Sequence, residues 1–161
     1  IDIANCDVMK DKSKAQLARE LDHLRQLYAH RNIDEPQQKV SPGGAETILV
    51  IDDEDGVRRA VGLLLEQLGY TVLTGSDGRQ ALDLFKTHRD AIFLILLDQS
   101  MPHISGREAL QAIHAIDPNM TVIVFTGQSV KRSDFPGIRD LIKKPIRLQG
   151  LSHRVRQVLD N

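Results

Sequence analysis

The sequence predicts an α/β protein, a doubly wound parallel sheet of five strands with a short N-terminal helical extension. Three observations lead there. Beyond residue 46, short apolar runs alternate with segments whose apolar residues recur at helical spacing. Three of the five runs are apolar at almost every position, as strands covered on both faces must be. Strand and helix in alternation call for right-handed crossovers between parallel neighbours, which puts helices on both faces of one sheet.

Taken in order, the chain divides into three regions. In residues 12–30, Leu17, Leu21, Leu24 and Tyr28 fall at alternating intervals of four and three, one stripe of a helix, and Ser13 with Gln16 makes a capping box. Such a stripe needs cover, on the domain or on a partner helix. Residues 1–31 therefore read as a helical segment that could pair two copies as a coiled coil, giving a dimer. Residues 32–46 hold Pro36, Gln37, Gln38, Ser41, Pro42, Gly43 and Gly44 without periodicity, and read as a linker. Residues 47–161 form the α/β domain.

Its predicted strands are Ile48-Leu49-Val50-Ile51, Thr71-Val72-Leu73, Phe93-Leu94-Ile95-Leu96-Leu97, Thr121-Val122-Ile123-Val124-Phe125 and Asp140-Leu141-Ile142. The first helix carries Val57, Val61, Leu64, Leu65 and Leu68 and stops at Gly69. A second is marked by Ala81, Leu82 and Phe85. A third carries Ala109, Leu110, Ile113 and Ile116, opens on a Ser105–Glu108 capping box and halts before Pro118. Leu148, Leu151, Val155 and Leu159 mark the last.

Composition narrows the function. A chain of 161 residues is one ordinary domain plus something short, and a net charge of −1 gives no general attraction for nucleic acid or anionic membrane. The cluster of Lys and Arg in the last third reads as a solvated face, since no nucleic-acid recognition module accompanies it. Cys6 has no second cysteine to pair with, and reads as a reduced thiol. The longest apolar run, residues 91–97, is strand-sized, and the N-terminus has no signal-peptide pattern, so a cytoplasmic setting without membrane contact is expected. The absence of an initiating Met suggests a fragment of a longer protein.

In a doubly wound sheet, ligands bind at the carboxyl ends of the strands, where the winding direction reverses. Asp52 and Asp53 follow the first strand, Asp98 ends the third, Thr126 ends the fourth and Lys144 follows the fifth. Singly these residues have plain readings: an Asp pair or Asp55 caps the next helix, Asp98 makes a turn before Met101-Pro102, and Lys144 is a solvated charge. Together they put three carboxylates on one edge. Such a cluster repels itself, and a hard, partly hydrated cation such as Mg²⁺ relieves it. An ammonium and a hydroxyl beside it can bind a phosphoryl group, whose transfer needs mainly positioning and charge neutralisation.

Ile51-Asp52-Asp53-Glu54, Leu96-Leu97-Asp98-Gln99-Ser100-Met101-Pro102, Phe125-Thr126-Gly127 and Lys143-Lys144-Pro145 resemble the four signatures of response-regulator receiver domains, in order and on the right elements. The resemblance covers residues 46–161 and implies a CheY-like, flavodoxin-like strand order of 2-1-3-4-5. It implies a two-component phosphorelay in which a histidine kinase is the phosphodonor and Asp98 the nucleophile. Asp53, Asp98 and the backbone carbonyl of Ser100 would ligate Mg²⁺ directly, and Asp52 through water. Lys144 would pair with Asp98 and then with the phosphoryl oxygens. Thr126 would move to hydrogen-bond the phosphoryl group. The Lys144–Pro145 peptide is expected to be cis. The chain would then catalyse only its own phosphorylation and dephosphorylation, passing the signal on by protein contact. Ile1-Asp2-Ile3 and the helix after it also resemble the last strand and exit helix of a PAS-type sensor domain, which would make this a module of a larger sensor, hybrid kinase or regulator.

Two departures from that family matter most. Leu141 stands where the family usually has an aromatic ring that swings inward. The segment between Thr126 and Lys144 is about one helical turn short and contains Pro136 and Gly137, both poor in a helix interior, so a truncated or irregular element is expected there. Ser105 stands where the family often has Asp, and the resemblance implies that Ser100 and Gln128 would border the path of the hydrolytic water. Rival readings fare worse. An aspartyl phosphatase would carry a second Asp at the position of Ser100, and a flavin site would need a Ser/Thr/Gly-rich loop where Asp52-Asp53-Glu54-Asp55 stands. A docking module that is never phosphorylated is the remaining alternative.

Overall fold

A computed structural model of the chain describes residues 43–127 and 129–161. The expected N-terminal helix, most of the linker and Gln128 lie outside those residues. The elements are β1 (Thr47–Ile51), α1 (Asp55–Gln67), β2 (Thr71–Gly75), α2 (Gly78–His88), β3 (Ile92–Asp98), α3 (Gly106–Ile116), β4 (Val122–Thr126), a 3₁₀ turn (Arg132–Asp134), β5 (Asp140–Lys143) and α4 (Leu148–Leu159). All strand pairs are parallel, in the order β2-β1-β3-β4-β5. That is the doubly wound order expected, with the reversal between β1 and β3.

The continuous apolar runs are explained by the two cores they feed. Successive strand side chains leave opposite faces. Leu49, Ile51, Ile95, Leu97, Val122 and Val124 meet Ala81 and Phe85 of α2 and Ala109, Leu110 and Ile113 of α3. Ile48, Val50, Leu94, Leu96, Ile123 and Phe125 meet Val61 and Leu65 of α1 and Leu151 and Val155 of α4. Each such side chain contributes roughly 1.5–3 kcal/mol when fully buried.

Local chemistry sets the helix ends. Gly69, at φ 94°, takes the left-handed turn that closes α1. Asp77 accepts from the Arg79 and Gln80 N–H groups at the start of α2. Ser105 and Glu108 form both halves of the capping box on α3, as predicted. Asp55 is not the cap of α1: the cap position is Glu54, without a side-chain bond, and Asp55 is the first helical residue, paired instead with Arg58 at 2.6 Å.

Between β4 and β5 the described residues hold one 3₁₀ turn and no α-helix, as Pro136 and Gly137 foretell. The core is closed there by single residues. Phe135 and Ile138 are buried against the α2–α3 face, the Arg107 guanidinium lies 5.1 Å from the Phe135 ring centre, and Arg132 donates to the Ile138 carbonyl at 3.0 Å. Leu141 packs half-buried on the same core. β5 is an edge strand. Lys144 N–H bonds to Thr126 O at 2.8 Å, which turns the even-numbered residues toward β4 and leaves the Leu141 peptide groups on the open edge. There the Leu141 N–H donates to Asp140 Oδ1 at 2.8 Å, and its carbonyl accepts from Arg154 at 3.3 Å.

Candidate functional site

Backbone bonds carried past the strand ends hold the site. Asp52 N–H donates to Gly75 O at 3.2 Å, Gln99 N–H to Phe125 O at 2.9 Å and Lys144 N–H to Thr126 O at 2.8 Å. Each ties a residue just beyond or at the end of its strand to the neighbouring strand, so the side chains emerge from a rigid edge. From below, α3 presses on the same segment. Gly106 N–H donates to Gln99 O at 3.0 Å, and a Cβ at Gly106 would stand 2.3 Å from the Asp98 carbonyl oxygen. Only glycine lets the helix come this close.

The structure brings together Asp52, Asp53 and Asp98, whose carboxylates each offer an oxygen within 4.8 Å of the others. Asp52 and Asp98 are buried, at 0% and 2% exposure, while Asp53 faces solvent. Lys144 joins them. Its Nζ lies 2.9 Å from Asp52 Oδ2, 3.0 Å from Asp98 Oδ1 and 2.9 Å from Glu54 Oε1. Asp98 Oδ2 accepts from the Ser100 N–H at 2.9 Å, leaving the Ser100 carbonyl in the adjoining loop. Thr126 is buried at the end of β4, and its hydroxyl donates to Gln99 Oε1. The Lys144–Pro145 peptide is cis.

Charge in this edge is out of balance. Burial drives the Asp98 carboxyl above its ordinary value, and Asp52 adds to that, against hydrogen bonds from Lys144 and Ser100. For Lys144, burial opposes the charged form, but hydrogen bonds to Asp52, Glu54 and Asp98 outweigh it and hold the ammonium well above an ordinary lysine. Four carboxylates, Glu54 among them, surround one ammonium, so the edge keeps an excess of negative charge that a divalent cation would offset. Asp52 Oδ2 is fully buried, with the ammonium at 2.9 Å as its charge partner. An all-oxygen, partly open set of this kind fits Mg²⁺.

Three contacts were not read from the sequence. Glu54 was quoted within a motif but given no part, and it shares Lys144 with the two buried aspartates. Arg58 donates to the Asp52 carbonyl at 2.6 Å, holding the turn into α1. Gln99 stands in the motif around Asp98 without a part of its own, and here it accepts from Thr126. Strand register would have found it, because Asp98 pairs with Phe125 and the next step sets Gln99 opposite Thr126. Two hollows flank the domain. One, of about 590 Å³, runs from Glu54 and Lys144 along Val57, Ala60, Ile146 and Leu148. The other, of about 550 Å³ and lined by Arg132, Arg139 and Arg154, shares no residue with the acidic cluster.

Comparison with known proteins agrees with this geometry. Residues 48–156 match the family model described as the response regulator receiver domain. A probable transcriptional regulator, ycf27 of Guillardia theta, is 32% identical over 118 residues, 71% of this chain and 45% of that protein. The autoinducer 1 sensor kinase/phosphatase LuxN of Vibrio campbellii is 31% identical over 126 residues, 73% of this chain and 14% of that one. The chain thus spans less than half the length of these curated relatives. The response regulator TrrA of Thermotoga maritima, solved in complex with Mg²⁺ and BeF, superposes with a TM-score of 0.64 at 30% identity, over 70% of this chain and 98% of that one.

Proposed function

This chain belongs to the response regulator receiver domain family of two-component signalling, and from that premise we propose that it is a phosphorylation switch with Asp98 as the phosphoacceptor. The observation that carries the reading is the buried Asp98 carboxylate, bonded to Lys144 at 3.0 Å within an oxygen cluster of two further aspartates. Asp53, Asp98, the Ser100 carbonyl and, through water, Asp52 would hold Mg²⁺. When bound, Mg²⁺ supplies the positive charge that neutralises the phosphoryl oxygens. An Asp98 carboxylate oxygen attacks phosphorus of a phosphohistidine on a kinase. The new O–P bond forms as the P–N bond breaks, and the leaving imidazole keeps the electron pair and takes up a proton. Lys144 would follow the charge from Asp98 to the phosphoryl oxygens, and Thr126 would turn to donate its hydroxyl to them.

The groove beside Lys144, with apolar Val57, Ala60, Ile146 and Leu148, suits a helix of the donor kinase. Outside its own phosphorylation and dephosphorylation the domain catalyses nothing, and it acts by contact within a larger sensor or regulator. Among the described residues no helix is long and apolar enough to cross a membrane.

Intact-mass spectrometry after incubation with acetyl phosphate and Mg²⁺ tests this. Wild type should gain one acid-labile phosphoryl group, and Asp98→Ala none. A phosphoryl group retained by Asp98→Ala would refute the assignment. No gain by wild type, with acetyl phosphate or with a phosphorylated kinase, would favour the docking-module alternative.

A further inference from the structure

The Gln99–Thr126 hydrogen bond lies outside the roles given so far. Strand alternation shows what it holds. Leu97 and Val124 point into the α2–α3 core, and Leu96, Ile123 and Phe125 into the opposite one. Asp98 therefore leaves the sheet with Phe125, while Gln99 and Thr126, one step on, leave with Leu97 and Val124. The Thr126 hydroxyl is thus turned to the face away from Asp98, where Gln99 Oε1 accepts its proton.

Gln99 cannot yield by moving its backbone. Its N–H is bonded to Phe125 O at 2.9 Å and its carbonyl to Gly106 N–H at 3.0 Å. A Cβ on Gly106 would come within 2.7 Å of the Gln99 Cα, so α3 already sits against it. The backbone that carries the acceptor is held from two sides. A hydroxyl has one proton to give. To donate it to a phosphoryl oxygen on Asp98, Thr126 must withdraw it from Gln99 and turn over the edge of the sheet.

We propose that Gln99 is a positioning residue that holds Thr126 in its unswitched orientation and so opposes the phosphorylated state. This rests on Asp98 being the phosphoacceptor, and it adds what that reading lacks, a group in this chain that sets how readily the switch is thrown. A net intramolecular hydrogen bond of this kind is worth a factor of about five in an equilibrium. Releasing Thr126 should favour the switched state by about that factor.

The test uses beryllofluoride with Mg²⁺ as a phosphoryl stand-in, its binding followed by ¹⁹F NMR. Gln99→Met keeps the length of the side chain and removes the acceptor. The variant should bind beryllofluoride about fivefold more tightly than wild type. In a Thr126→Val background, where no hydroxyl is left to hold, Gln99→Met should change the affinity by less than about 1.5-fold. Equal affinity for wild type and Gln99→Met would overturn the proposal, as would an undiminished shift in the Thr126→Val background. Failure of every variant, wild type included, to bind would instead remove Asp98 as phosphoacceptor, and the proposal with it.

Discussion

Replacing Gly106 by alanine tests whether the first turn of α3 sets the position of Asp98. The added Cβ would stand 2.3 Å from the Asp98 carbonyl oxygen, 3.0 Å from its carbonyl carbon and 2.7 Å from the Gln99 Cα, where ordinary contact begins near 3.4 Å. Every one of these atoms is backbone, so no side chain can swing aside. The helix and the strand end must part by about 1 Å, stretching the 3.0 Å bond from Gly106 N–H to Gln99 O. Overpacking costs about 1–3 kcal/mol, and the weakened hydrogen bond about 1 kcal/mol more. Alanine's better helix propensity returns up to about 1 kcal/mol. The expected net loss is about 2 kcal/mol, lowering the melting temperature by about 8 °C in a domain of this size. Gly62→Ala in the middle of α1 is the control. Its Cβ would meet Val72 Cγ1 at 3.8 Å and Thr74 Cγ2 at 4.0 Å, ordinary contacts, so it should gain up to about 1 kcal/mol. Urea unfolding followed by far-UV circular dichroism measures both. A Gly106→Ala protein as stable as wild type would show that α3 does not clamp the site.

Other outcomes follow from the same contacts. Ser105→Ala removes the acceptor of the α3 capping box and should cost about 1 kcal/mol in the same unfolding assay. Mg²⁺ at ten times its dissociation constant should stabilise the fold by about 1.4 kcal/mol, and Asp53→Asn should abolish most of that gain. Asp98→Asn should raise stability at neutral pH without Mg²⁺. The folded-state pKa of Asp98 lies above its unfolded value, so the folded protein binds more protons between the two and loses stability as pH rises through that window. The advantage of Asp98→Asn should accordingly shrink as pH falls through the raised value, a trend read by thermal denaturation at a series of pH values.

Most of the fold was legible because the two faces of the sheet demand nearly unbroken apolar strands, and few other structures use such runs. The acids, Thr126 and Lys144 were legible because strand ends are where a doubly wound sheet gathers polar groups. The irregular passage between β4 and β5 was visible in Pro136 and Gly137. What escaped depends on the rotamers of long polar side chains. Glu54 reaches Lys144 across 90 residues of sequence. Gln99 meets Thr126 only once the register of β3 on β4 is known. Nor could periodicity show that Phe135 and Ile138, in a segment with neither helical nor strand pattern, would close the core.

The outer rim of β5 has a bearing on the company this domain keeps. A bare parallel edge is a template on which another chain can extend the sheet. Here the free N–H and C=O of Leu141 are already taken by Asp140 and Arg154, themselves an ion pair at 3.3 Å. The described residues between β4 and β5 form no α-helix, and on the rim two charged side chains occupy the Leu141 peptide groups. On this rim the Leu141 peptide groups are thereby withdrawn from strand pairing, and a neighbour on this flank meets the Asp140 and Arg154 side chains first.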